Sequence, residues 1–181
     1  MGALDPLLHA VLVAALAALW LHAGIAKLRD LARLEGVIAD YRLLPDALVQ
    51  PASRALPVIE LAVAAGLVAS PAREAAALVA VVLLAVYAAA VAVNLRRGRT
   101  SIDCGCGDAP RPIHAWLVGR NAVLAAASLA LLVPVGARAL GWLDALNAAM
   151  ALVAVVGLYA TLEQWQHNRQ AMQAATRMEE G

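Results

Sequence analysis

The sequence predicts an all-α integral membrane protein, a bundle of about five transmembrane helices. Three observations carry that expectation. Of 181 residues, 63% are hydrophobic and the mean hydropathy is +0.75, against roughly 45–50% apolar usage in soluble domains. Five apolar segments approach or reach the ~20 residues that a helix needs to cross the hydrocarbon layer. The basic residues between those segments alternate between rich and poor loops, as they do in multi-pass proteins. A net charge of +1 gives no basic field for nucleic acid. Two cysteines are too few for a secreted disulfide scaffold.

The first segment, residues 7–26, contains no Asp, Glu, Lys or Arg. No cation precedes it, so it reads as an uncleaved helix rather than a signal peptide. The second, about 56–72, carries one carboxylate, Glu60, and follows Pro51 and Pro57. The third, 75–95, is uncharged; the fourth, 113–136, holds Arg120 near its start; the fifth, 143–162, has Asp144 at its edge. All are too long for strands. Abundant alanine, with Gly24, Gly66 and Gly157, predicts close approach of helix backbones. The expected organisation is a core over 1–136 with a cysteine loop at 94–112, a fifth helix over 137–162, and a polar helical tail over 163–181.

Five basic residues follow the first span (Lys27, Arg29, Arg33, Arg42, Arg54) and five accompany the cysteine loop (Arg96, Arg97, Arg99, Arg111, Arg120). Arg169 and Arg177 lie in the tail, whereas Arg73 and Arg138 stand alone in the other two loops. With five spans the balance is twelve against two, which places the N-terminus outside and the C-terminus in the cytoplasm. Without the second span it would be seven against seven. Trp116 and Trp165 then fall at one interface and Trp142 at the other. The same alternation brings Lys27, Tyr41, Glu60, the cysteine loop and Arg120 to one membrane face.

Both thiols, Cys104 and Cys106, flank Gly105 in the polar stretch "NLRRGRTSIDCGCGDAPRP". A disulfide across one residue closes a small ring, for which glycine supplies backbone freedom. Strained, exposed disulfides exchange readily, so the pair suits an oxidant or relay. Neighbouring arginines favour a thiolate, and Asp103 and Asp108 oppose it. Two other readings stand beside this one: a soft-metal site for Cu(I) using Cys104, Cys106 and His114, and a juxtamembrane palmitoylation site. A closed zinc site lacks its four ligands. Within the membrane, Glu60 sits near a helix start and Lys27 closes the first span at the same face, so the two are expected to pair. Either Lys27 snorkels to the headgroups and Glu60 caps its helix, or the pair lines a polar pocket beneath the cysteines, for a quinone headgroup or for proton transfer.

Five stretches coincide in order and spacing: "AGIAKL", "YRLLP", "LPVIELAVAAGL", "IDCGCG" and "WLVGRNAVL". Together they resemble the DoxX-like membrane proteins, and among them the MauE family of methylamine utilisation, over about residues 7–135. The resemblance implies a four-helix DoxX-like core with an added C-terminal span, in the bacterial inner membrane. It implies an accessory role in maturing the disulfide-rich small (beta) subunit of methylamine dehydrogenase, with a thioredoxin-like partner of the MauD type. It picks out Cys104 and Cys106 as the redox pair and Lys27 and Glu60 as the charged residues of the bundle. A quinone as terminal acceptor would follow by analogy with other membrane thiol oxidases. The reading from another class is a non-catalytic scaffold, or a Cu(I) carrier, that recruits maturation factors. Disulfides of the implied substrate form in the periplasm, whereas the charge balance sets the cysteine loop on the cytoplasmic face.

Overall fold

The computed structural model describes residues 3–105 and 111–179. Cys106 and Asp108 therefore lie outside the described residues. The chain divides into two compact units, Met1–Arg138 and Ala139–Gly181. The first holds α1 (Pro6–Arg29), α2 (Leu31–Tyr41), α3 (Asp46–Val68), α4 (Arg73–Arg96) and α5 (Ala115–Ala130); the second holds α6 (Trp142–Glu179). Four described helices are long and apolar enough to cross a membrane: α1, α3, α4 with its preceding 3-10 turn, and residues 142–162 of α6. The chain is an all-α, multi-pass membrane protein.

Each helix begins and ends for local reasons. Asp5 caps α1 by accepting the Leu7 N–H at 2.8 Å, ahead of Pro6 at the first helical position. That bond, with Arg138 beside it, holds the Asp5 carboxyl below the usual carboxylate range. Lys27 and Arg29 close α1 where cations suit the helix dipole. Asp30 then caps α2 through the Arg33 N–H. At the far end of the unit, Arg73 donates to the Leu67 and Val68 carbonyls that end α3.

Three features depart from the sequence expectations. The second span begins ten residues earlier than expected, so Pro51 and Pro57 lie inside α3. Each proline removes one helical hydrogen bond, a loss tolerated in membrane helices when neighbours take up the freed groups. Glu60 consequently sits mid-helix and not in the first turns, so a helix N-terminus does not stabilise its charge. The fourth expected span, 113–136, is α5, a 16-residue helix that ends at Ala130 and is shorter than the four helices able to cross a membrane; Pro134 disfavours helix at Val133 and so prevents its extension. The chain there turns and pairs with Leu4: the Leu4 N–H donates to the Pro134 carbonyl at 2.8 Å and the Gly136 N–H to the Leu4 carbonyl at 2.9 Å. Finally, the loop after α1 contains a helix, α2, with Leu34, Val37, Ile38 and Tyr41 on one face at i, i+3, i+4 and i+7.

In the first unit, α1 packs on α3, α4 on α5, and α3 bridges to α4 and α2. A Cβ at Gly24 would lie 2.8 Å from Leu61 Cγ and 3.2 Å from the Pro57 carbonyl oxygen, so α1 and α3 meet through the missing side chain. Gly66 plays the same part against Ala76, but nothing among the described residues lies within 4 Å of a Cβ at Gly157. A core of Leu16, Trp20, Val63, Leu67, Ala77, Ala80 and Leu84 fills one end of the unit. A second cluster, Val37, Tyr41, Val91, Ile102, Ile113 and Leu117, lies beneath the cysteine loop. The outer faces are apolar, with Val58, Val82 and Val123 exposed, while Ser53, Glu60, Asn94, Asn121 and Ser128 are buried. Polar residues inside and apolar residues outside are what lipid as solvent requires.

Candidate functional site

The site lies where the end of α1, α2, the end of α4, the cysteine loop and the start of α5 meet. Within it, the Lys27 Nζ donates to both Glu60 carboxylate oxygens, at 2.7 and 2.9 Å. The Glu60 side chain has no exposed surface and that of Lys27 is 11% exposed. Tyr87 Oη donates to Glu60 Oε1 at 2.8 Å, and the ammonium lies 5.7 Å from the centre of the Tyr87 ring. One buried carboxylate thus receives three charge-assisted hydrogen bonds, two of them from an ammonium, which offsets part of its desolvation.

The cysteine loop is fastened at its base. The Cys104 N–H donates to the Arg111 carbonyl at 2.8 Å, and the Ile113 N–H to the Ile102 carbonyl at 3.0 Å. Asp103 organises the turn. Its Oδ1 accepts the N–H groups of Gly105 and Arg111, at 3.1 and 3.0 Å. Its Oδ2 accepts Nε and Nη2 of Arg33 on α2, at 3.0 and 2.8 Å. The carboxylate expected to oppose a thiolate is therefore paired with a guanidinium. Gly105 has a φ of +67°, in the left-handed region, and a Cβ there would lie 3.0 Å from Val37 Cγ1. Both the turn and its contact with α2 require glycine.

Asn94, fully buried near the end of α4, ties α2 to the loop. Its amide donates to the Tyr41 and Ala90 carbonyls at 3.2 and 3.1 Å, and its Oδ1 accepts Arg99 Nη1 at 3.1 Å. This covers the C-terminal end of α2, whose last turn is closed by Arg42 at a left-handed φ of 49°.

Between these groups lies a cavity of about 280 Å³. Lys27, Tyr41, Tyr87, Asn121 and Cys104 line it, together with aliphatic side chains such as Leu34, Val37, Val86 and Leu117. Of the residues expected at the site, Lys27, Tyr41 and Cys104 reach the cavity, and Glu60 stands behind Lys27. Arg120 and His114 are half-buried at the start of α5 and are not part of the lining. Among the described residues, no three His, Cys, Asp or Glu side chains gather as metal ligands.

Tyr87, Asn94 and Asn121 were not singled out as site residues by the sequence, and Asp103 was read only as a charge opposing a thiolate, not as the residue that fastens the loop. The available signal was a polar side chain at membrane depth: Tyr87 and Asn94 are polar residues of an otherwise apolar third span.

The family model for methylamine utilisation protein MauE matches residues 5–134. The chain is 46% identical over 118 residues to a methylamine utilization protein MauE of Paracoccus denitrificans, covering 64% of this chain and 63% of the relative. It is 43% identical over 127 residues to that of Paracoccus versutus, covering 69% and 68%, and 39% identical over 139 residues to that of Methylorubrum extorquens, covering 75% of each. The match thus spans just under two thirds of the length of the Paracoccus denitrificans relative. No solved structure matches. The matched residues run from the cap of α1 to the turn after α5 and so include the cavity, the Lys27–Glu60 pair and Cys104; the chain belongs to the MauE family of methylamine utilisation proteins.

Proposed function

We propose that this protein is an inner-membrane thiol–disulfide exchange protein that forms or shuttles disulfides during maturation of the methylamine dehydrogenase small subunit. In this reading Cys104 and Cys106 are the redox pair and a thioredoxin-like protein is the partner. The observation that carries it is the setting of Cys104: half-buried at the cavity wall, on a loop whose base is held by Asp103, beside a glycine with positive φ.

The exchange conserves electrons. A partner thiolate attacks the oxidised Cys104–Cys106 pair, and one cysteine leaves as a thiolate while a mixed disulfide forms. The partner's second thiolate then resolves the mixed disulfide, which leaves the partner oxidised and the pair reduced. Lys27, Glu60, Tyr41, Arg120 and His114 support the site by shaping and charging its surroundings. The charge balance supports an orientation with the N-terminus outside, the C-terminus in the cytoplasm, and the pair exchanging electrons with the cytoplasmic side.

The test is a trap. A Cys106→Ser variant, expressed with a thioredoxin-like protein lacking its resolving cysteine, should yield a mixed disulfide that reductant dissolves. If neither single-cysteine variant forms an adduct, the protein acts as a scaffold or metal carrier.

A further inference from the structure

Thiol exchange leaves the pair reduced, and a second turnover needs a two-electron acceptor. The 280 Å³ cavity is built for a small lipophilic molecule that carries hydrogen-bond acceptors. It lies near the lower end of ordinary ligand cavities, about 300–1,000 Å³, and so has room for one substituted ring. Its walls are mostly aliphatic, and the lining residues Leu43, Leu44 and Val86 are themselves exposed, so the rim is apolar.

Two donors face the interior from different helices. The Lys27 ammonium has three N–H groups, of which two go to Glu60 and the third has no acceptor among the described residues. Asn121 is 3% exposed and lines the cavity, yet its side chain makes no hydrogen bond among the described residues. An amide at a cavity wall that is not engaged by the protein is available to donate to a ligand or water there. Tyr41 and Tyr87 add aromatic surface, and Cys104 lies on the same wall.

We propose that this cavity binds a lipid-soluble p-quinone, with Lys27 and Asn121 donating to its carbonyl oxygens and Cys104 presented to the ring. The choice of a quinone among lipophilic acceptors rests on the thiol-exchange reading above. The step balances: two S–H bonds break and one S–S bond forms, while the ring gains two electrons and two protons as two O–H bonds. Lys27 polarises the carbonyl that receives charge, and Glu60 with Tyr87 holds it in place.

The probe is decylubiquinone, added without oxygen to the reduced full-length chain in nanodiscs, with quinol formation and protein thiols measured together. The expected result is one quinol per disulfide. Val86→Trp, at the exposed rim, should slow quinol formation at least about tenfold, as blocking a lipophilic pocket does. Asn121→Leu should weaken binding of the quinone in the same sense. A photoactivatable quinone should label Tyr41, Tyr87 or neighbouring lining residues. Exchange with a thioredoxin-like protein, but no quinol and no label at the cavity, would overturn the quinone site and leave the exchange reading standing. Quinol formation without exchange would support the quinone site and overturn the exchange reading. Label displaced equally well by phospholipid or detergent would assign the cavity to lipid and overturn the proposal.

Discussion

Removing either partner of the Lys27–Glu60 pair leaves a charge buried in the bundle without its counterion. Breaking a buried pair from one side costs about 3–5 kcal/mol, whereas replacing both partners by apolar groups of similar size is often neutral. Glu60→Ala and Lys27→Met should each lower stability by about that amount in detergent or nanodisc unfolding, and the double variant Lys27→Met/Glu60→Leu should recover most of the loss. Losses that simply add would contradict the pairing. Tyr87→Phe removes one hydrogen bond to a charged group and should cost about 1.5–3 kcal/mol in the same measurement. The ion pair was legible in the sequence because two charges stand out against apolar spans at one expected face. Tyr87, Asn94 and Asn121 were not, because an uncharged polar side chain at membrane depth fits an interfacial position as well as a buried one. Only three-dimensional packing shows that Asn94 caps α2 and Asn121 faces a cavity.

At the scale of elements, α2 does most to position the site. It covers the cavity with Leu34, Val37, Ile38 and Tyr41, carries Arg33 to the cysteine loop, and is held at its end by Asn94. Asp103→Ala removes four hydrogen bonds at once. Alkylation of reduced Cys104 in a Cys106→Ser background should then quicken by roughly 5–30-fold, the range that one or two kcal/mol of lost restraint gives. Arg33→Lys keeps the charge but loses the planar fork, and should fall between the two. An unchanged rate in Asp103→Ala would mean that the loop is held by other contacts. The helix escaped sequence reading because it is 11 residues long, carries Arg33, Glu35 and Asp40, and lies in a segment treated as a basic loop. Its apolar period of i, i+3, i+4, i+7 was the signal. The start of α3 was misplaced for a related reason: Pro51 and Pro57 read as boundaries, though membrane helices tolerate proline when neighbouring groups compensate.

For the whole molecule, the apolar segments were the most legible feature, since a helix must satisfy its own backbone in lipid and so needs length and hydropathy together. Their packing partners were less so. Gly24 and Gly66 do bring helices together, but the same residue type at Gly157 meets nothing among the described residues, because composition alone does not say which face meets a neighbour. Orientation rests on charge. With the N-terminus outside, a membrane-impermeant maleimide should label reduced Cys104 and Cys106 only after the membrane of spheroplasts is opened. Rapid labelling of intact spheroplasts would put the loop on the outer face. Whether the thiol pair does chemistry in maturation is decided by the double variant Cys104→Ser/Cys106→Ser, with mature methylamine dehydrogenase small subunit as the readout. The variant should insert at normal level while the small subunit fails to mature; maturation at the normal level would mean that the thiols are not the reacting groups.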